Sequence, residues 1–373
     1  MANQKRKFLF QLNHPAHYHL FKNSIDELEN RGHEILITIK EKDILKKLVS
    51  GRNYIQISKG KGYRKKNIGS ILSSLFLRNQ ELLKVARKFK PDMMIGTSPE
   101  IGQIRYLVGS PAIFFGEDDV NLSPIMYLGA LSCYPLFSRI VSPTGVNNSI
   151  WNRKTSFYHG YQKLAYLHPN RFTPDRSKVH IAENKKFFLL RFASLAAYHD
   201  LNASGINDHI ARDLIDKLRQ HGEVLISAER PLPEDLEPYR FQGNLQDIHH
   251  YMYYAHLYIG DSQSMAVEAS MLGTPNIRYS DFVGKITVLE DLEHRYGLTK
   301  GIHTDHREQL FVYLDGLLQE TDLVEKQKEK RKQLLKEKID VTGFMLWFFE
   351  NYPEGVKELK NNPDLQKQFL LQH

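Results

Sequence analysis

Short apolar runs alternate along this chain with stretches in which apolar residues recur every third or fourth position, the pattern of β-strands joined by helices. Phe8 to Leu12 predicts a buried strand, Phe21 to Arg31 a helix closed by Gly32, and Glu34 to Ile39 the next strand. Tyr54 to Ser58, Met93 to Ile95, Ala112 to Phe115 and Ile140 to Ser142 predict further strands, with a long amphipathic helix near Ile71 to Phe89. After a less regular connection from about Tyr158 to Asn184 the design repeats. Strands are expected at Phe187 to Phe192, Val224 to Ser227, Leu257 to Ile259 and Asn276 to Tyr279, separated by helices such as Asn207 to Gln220 and Met265 to Leu272. The expected fold class is α/β, with two doubly wound Rossmann-like domains facing across a cleft. Expected boundaries are 1–158 for the first domain, 159–340 for the second, and 341–373 for helices that return to the first. The apolar run Leu346-Trp347-Phe348-Phe349 requires such a burial.

Length supports this division, because 373 residues exceed what one hydrophobic core serves. Hydrophobic residues at 41% and charged residues at 25% exclude a predominantly disordered chain. The net charge of +8 favours acidic partners: nucleotides, phosphorylated sugars, nucleic acid or an anionic membrane surface. The charged run Glu325 to Lys338 reads as a solvated helix face, so no nucleic-acid partner is expected. A single cysteine, Cys133, excludes an internal disulfide and suits a reducing cytoplasm. No apolar run is long enough to span a bilayer, and Lys5-Arg6-Lys7 leads into a strand with no cleavage signal. The expected location is cytoplasmic, with peripheral membrane contact at most. The basic, glycine-interrupted loop Lys59 to Lys66 fits an anionic surface or a phosphate-bearing acceptor, and reads first as a solvated loop.

Candidate chemistry lies in loops that follow strands, where ligands of such sheets bind. After Leu257 to Ile259, the residues Asp261-Ser262-Gln263-Ser264 open a helix, so backbone N–H groups and the positive end of the dipole meet there. Glu268 lies one turn further in, and Gly273 with Pro275 ends the helix. A plain capped turn would use the same residues. After the first strand, Asn13-His14-Pro15-Ala16-His17-Tyr18-His19 offers imidazoles that titrate near neutrality, so His14 or His17 could serve as a general base. No carboxylate or cysteine cluster accompanies them, and no metal is expected. Phe115-Gly116-Glu117-Asp118-Asp119 gathers carboxylates after another strand, and Glu117 is a second candidate base. In the second half, Arg191 with Ser194 could clamp a pyrophosphate, and Ser227 and Glu229 end the next strand where base or ribose contacts fall. Neither a GxGxxG fingerprint nor a P-loop occurs, which leaves dinucleotide redox chemistry and NTP hydrolysis without support.

The segment Gly260-Asp261-Ser262-Gln263-Ser264-Met265-Ala266-Val267-Glu268-Ala269, followed by Gly273-Thr274-Pro275, resembles the donor-nucleotide half of GT-B glycosyltransferases and of the related UDP-N-acetylglucosamine 2-epimerases. Gly160-Tyr161-Gln162-Lys163-Leu164-Ala165-Tyr166-Leu167-His168-Pro169 and Asp247-Ile248-His249-His250 look closer still to an uncharacterised microbial family of glycosyltransferase-like proteins. The resemblance implies a GT-B architecture and a glycosyltransferase without a cofactor. Such an enzyme moves a sugar from a nucleotide-sugar donor, UDP-linked, to a glycan or lipid-linked acceptor in glycan or surface-polysaccharide synthesis. It also implies that Ser262, Gln263 and Ser264 meet the donor diphosphate and Glu268 the ribose hydroxyls. Two departures stand out. Ser262-Gln263-Ser264 replaces an epimerase Ser-Gly-Gly, and Gly96-Thr97-Ser98-Pro99 replaces a Gly-Asp-Thr motif. A 2-epimerase acting on a UDP-N-acetylhexosamine, and a non-catalytic nucleotide-sugar or polyanion binding protein, are the alternatives.

Overall fold

The computed structural model describes residues 5–40, 43–57, 68–117, 133–145, 153–193 and 205–372. Contacts divide the chain into two compact units, Met1–Tyr166 with Ile339–Leu370, and Leu167–Lys338 with Leu371–His373. Each is built around one parallel sheet.

Unit 1 holds β1 (Lys7–Leu12), β2 (Glu34–Lys40), β3 (Tyr54–Ile57), β4 (Met93–Gly96), β5 (Ala112–Phe115), β6 (Arg139–Pro143) and β7 (Thr155–Tyr158). They lie in the order β3-β2-β1-β4-β5-β6-β7, all parallel. Phe8, Leu9, Phe10 and Leu12 are fully buried, as a strand covered on both faces requires. Unit 2 repeats the plan with β8 (Phe187–Phe192), β9 (Glu223–Ala228), β10 (Leu257–Gly260), β11 (Asn276–Tyr279) and β12 (Lys300–Ile302) in the order β12-β11-β10-β8-β9. In each sheet the chain first runs outward on one side of its first strand and then returns to the other. The reversals fall between β1 and β4 and between β8 and β10, the switch points where the flanking loops part and leave a crevice.

The predicted strands are present, and two short ones, β7 and β12, were not anticipated because Thr155–Tyr158 and Lys300–Ile302 carry too few apolar residues to stand out. Helix α1 (Pro15–Asn30) starts earlier than Phe21. His14 caps it and Pro15 takes the first helical position, where a missing N–H costs nothing. It is followed by α2 (Asp43–Leu48), α3 (Ile68–Phe89) and α4 (Glu100–Val108). The apolar tail forms the helix Val341–Asn351, whose Phe349 ring lies 6.2 Å from Phe8, 6.0 Å from Phe10 and 5.8 Å from Phe115. Arg6 donates to the carbonyls of Phe349 and Tyr352 at the end of that helix, satisfying groups that no further turn can use. No helix among the described residues is long and apolar enough to cross a membrane.

Candidate functional site

In unit 2 the loop after β10 turns directly into the helix Gln263–Leu272. Ser262 is its extended N-cap, and its Oγ accepts from the Met265 N–H at 3.4 Å. The N–H groups of Gln263 and Ser264 sit where an α-helix has no carbonyl to offer them, at the positive end of its dipole. Ser264 is exposed in that first turn. Glu268, 8% exposed, lies one turn deeper on the same face, 3.4 Å from His249 Nε2.

Asp261 was expected to contact substrate, and its surroundings correct that reading. The side chain is buried, with Oδ1 accepting from the Ala193 N–H at 2.7 Å and Oδ2 from the Ile206 N–H at 3.1 Å. Ala193 follows β8 and Asp261 follows β10, so this carboxylate bridges the switch point and positions the turn. Burial pushes its pKa up to about 6, against the opposing pull of those N–H bonds and of Arg191. Gly205 makes the approach sterically feasible, since a Cβ there would stand 2.5 Å from Oδ2.

The Gln263 side chain is also committed inward. Its Nε2 donates to the Asp261 carbonyl at 3.1 Å and to Ser280 Oγ at 2.8 Å, while Oε1 accepts from Arg278 at 3.4 Å. Only its backbone N–H is left to meet an anion. Arg278, fully buried in β11, also reaches Glu290 at 3.2 Å and Glu293 at 3.3 Å. The sequence did carry a signal for this network, because an arginine inside a buried strand demands carboxylate partners.

Arg191 is in register with Ser227 on one side and Gly260 on the other. Its Nη1 donates to Ser227 Oγ at 2.7 Å, and its Nη2 pairs with Glu229, while Nε is buried with no partner. Ser227 is 4% exposed, and its Oγ supports the guanidinium. The Glu229 carboxylate is half exposed, a partner that an incoming diphosphate would exchange with. Ser194, Asp118, Asp119 and the loop Lys59 to Lys66 lie outside the described residues.

In unit 1 the loops after β1 and β4 are joined across the switch point by side chains. Asn13 Nδ2 donates to Ser98 Oγ at 2.8 Å, and Thr97 Oγ1 sits 2.8 Å from His17 Nε2. The Asn13 N–H donates to His17 Nδ1 at 3.2 Å, and the Ala16 N–H donates to His14 Nδ1 at 3.2 Å. An Nδ1 that accepts cannot carry the proton of a neutral ring, so both imidazoles hold it on Nε2. In this arrangement His14 and His17 present a hydrogen on Nε2. Thr97 and Ser98 were quoted in the sequence only as a departure from a motif, and their partners became visible through the β1–β4 pairing. After β5, Glu117 Oε1 accepts from the Gln162 N–H at 2.7 Å, and Oε2 lies 3.8 Å from Lys163 Nζ. The segment from Gly160 to His168 thus begins by holding this carboxylate. Among the described residues no group of three or more His, Cys, Asp or Glu side chains could hold a metal ion.

No curated protein matches the chain. Solved structures do. S. aureus MnaA, solved with UDP, superposes with a TM-score of 0.68 at 14% identity, covering 94% of this chain and 97% of its own. CalG4, the calicheamicin glycosyltransferase, does so with a TM-score of 0.62 at 12% identity, covering 95% and 99%. The UDP-GlcNAc 2-epimerase of Methanocaldococcus jannaschii gives 0.58 at 14% identity, covering 84% and 93%. Identities this low speak to the fold alone, which is the GT-B pairing of Rossmann-like units that glycosyltransferases and 2-epimerases share. The profile of a family described as protein of unknown function, DUF354, matches residues 7–286, three quarters of the chain, and the chain belongs to that family.

Proposed function

We propose that this protein is a glycosyltransferase that moves a sugar from a nucleotide-sugar donor, UDP-linked, to a glycan or lipid-linked acceptor. The observation that carries the reading is the turn after β10, where Ser262, Ser264 and Glu268 follow one another along the opening of one helix at a switch point. A diphosphate at Ser264 would meet the helix N–H groups, and Glu268 would accept from both hydroxyls of a ribose one turn away. Arg191, released from Glu229, would add a cation. These groups are fixed before reaction, so they stabilise the charge that grows on the departing diphosphate without reorganising. In unit 1, His14 and His17 would donate from Nε2 to sugar or phosphate oxygens. Glu117 is then the candidate that accepts the proton of the acceptor hydroxyl.

The test is a thermal-shift panel of UDP, GDP, CMP, TDP and their common sugar conjugates, on the wild type and on Glu268→Ala. A rise for uridine ligands that Glu268→Ala removes supports the reading. No rise for any nucleotide at millimolar concentration overturns it. The fold shared with 2-epimerases supports a second reading, in which a UDP-N-acetylhexosamine is converted with no acceptor present. Incubating the protein with that sugar nucleotide alone separates the two.

A further inference from the structure

At the opposite end of the unit 1 sheet, a cavity of about 920 Å³ runs along the amino ends of five neighbouring strands, β1, β4, β5, β6 and β7. Lys5 and Arg6 precede β1, Arg105 comes from α4, and Lys154 precedes β7. Among the described residues of the wall the only carboxylate is Asp92, and its Oδ2 accepts from the Lys7 N–H at 2.7 Å.

These cations are held by neutral groups. Arg6 donates to two carbonyls, Lys154 to the carbonyls of Pro135 at 3.1 Å and Phe137 at 3.2 Å, and Arg105 to Ser138 Oγ at 2.5 Å. Among the described residues none of the three makes an ion pair, and Arg105 Nε is buried with no hydrogen-bond partner there. Just outside the wall, Arg139 is held the same way, by Ser156 Oγ and by the carbonyls of Arg153 and Thr155. Arg52 and Arg212, by contrast, end on the carboxylates of Asp26 and Asp235. Hydrogen bonds to carbonyls orient a cation but leave its charge in place, so the cavity keeps a net positive field. The exposed phenol of Tyr106, stacked 4.1 Å under the Arg105 guanidinium, has its pKa lowered by Arg105 and then by Lys154, as that field requires. Tyr352 and Phe137 supply aromatic wall beside the charges.

We infer that this cavity is a second anion site, taking a small organic phosphate with two or more negative charges and an apolar or ring-bearing portion. It is separate from the loops at the carboxyl ends of the strands, and it stands whether or not the protein transfers sugars. Bidentate guanidinium contacts and the Lys154 ammonium would take the phosphate oxygens, and Tyr106 and Tyr352 the remainder.

Pyrophosphate is the probe, titrated calorimetrically at low salt into the full-length chain carrying Ser264→Asp, which places a negative charge at the helix opening and removes that competing anion site. The expected result is one binding event, weakened about tenfold or more when Arg105→Gln and Lys154→Gln are added, weakened less by Arg105→Lys, which keeps the charge and loses the bidentate contact, and weakened by added salt. In the wild type, pyrophosphate should also slow modification of Lys5 and Lys154 by an amine-reactive reagent, read by mass spectrometry, a measurement that needs no variant. Absence of binding in Ser264→Asp, affinity unchanged by the two glutamines, or unprotected Lys5 and Lys154 would each overturn the inference.

Discussion

The two switch points are built on the same backbone plan and finished with opposite chemistry. Gly96 ends β4 in register with Gln11, and Gly260 ends β10 in register with Arg191. Beyond these glycines, unit 1 ties its loops with an amide, hydroxyls and an imidazole, through Asn13 to Ser98 and Thr97 to His17. Unit 2 ties its loops with one buried carboxylate, Asp261, that takes backbone N–H groups from both sides. A buried ion held by backbone donors fixes a turn and leaves short side chains in front of it for a ligand. Neutral side-chain bonds fix a loop less firmly but present hydrogens whose position follows the tautomer. The difference leaves a turn fixed by backbone donors in unit 2 and a loop fixed by side-chain hydrogen bonds in unit 1.

The largest effect expected from breaking this contrast is on turnover in unit 1. Glu117→Gln should lower kcat by about a hundredfold to ten-thousandfold while nucleotide-induced thermal shifts persist, as loss of a general base does. His17 gives a sharper comparison. As an Nε2–H donor it should be replaced in part by glutamine, so His17→Gln should retain clearly more activity than His17→Ala. Equal loss in both would return His17 to the role of base.

In unit 2, Ser264→Asp should divide stability from binding. A carboxylate in the first turn stabilises the helix by about 0.3–1 kcal/mol, whereas a diphosphate at the same position is repelled. The melting temperature should hold or rise while the nucleotide-induced shift disappears.

Asp261 predicts a pH dependence with a definite sign. Its folded pKa of about 6 stands above the ordinary 3.8, so the native state holds the extra proton. The stability this contributes is fully present below the ordinary value and is lost as pH rises through about 6, up to about 3 kcal/mol in all. The stability difference between wild type and Asp261→Asn should therefore shrink between pH 4 and pH 7 in denaturant titrations. A difference that grows with pH would mean that the N–H bonds outweigh burial.

The two glycines bear on stability alone. A Cβ on Gly260 would stand 2.4 Å from Tyr258 Oη and 3.0 Å from Arg191 Cβ, and the buried tyrosine has little room to yield. One on Gly96 would meet the Gln11 carbonyl at 3.2 Å. Gly260→Ala should cost about 1–3 kcal/mol and Gly96→Ala less, measured by thermal or urea unfolding.

Most strands of both sheets, the capped helix opening at Ser262 and its end at Gly273 are legible from periodicity and caps. Apolar runs have to be buried on both faces of a parallel sheet, and Ser262 and Gly273 act on their own neighbours. The burial of Leu346 to Phe349 was demanded by composition, but its place against Phe8 and Phe10 was not. Roles that depend on a partner far along the chain were misread. Asp261 looks like a ligand until Ala193 and Ile206 are brought to it, and His17 like an isolated imidazole until Thr97 is brought to it. The Lys5, Arg6, Arg105 and Lys154 cluster has no motif, because strand order alone assembles it. Sequence by itself determined which segments become strands and helices, since that is decided by short-range periodicity and local hydrogen bonding. Only the tertiary structure decided which polar atoms are already spoken for, because hydrogen-bond partners and burial are set by residues tens or hundreds of positions apart.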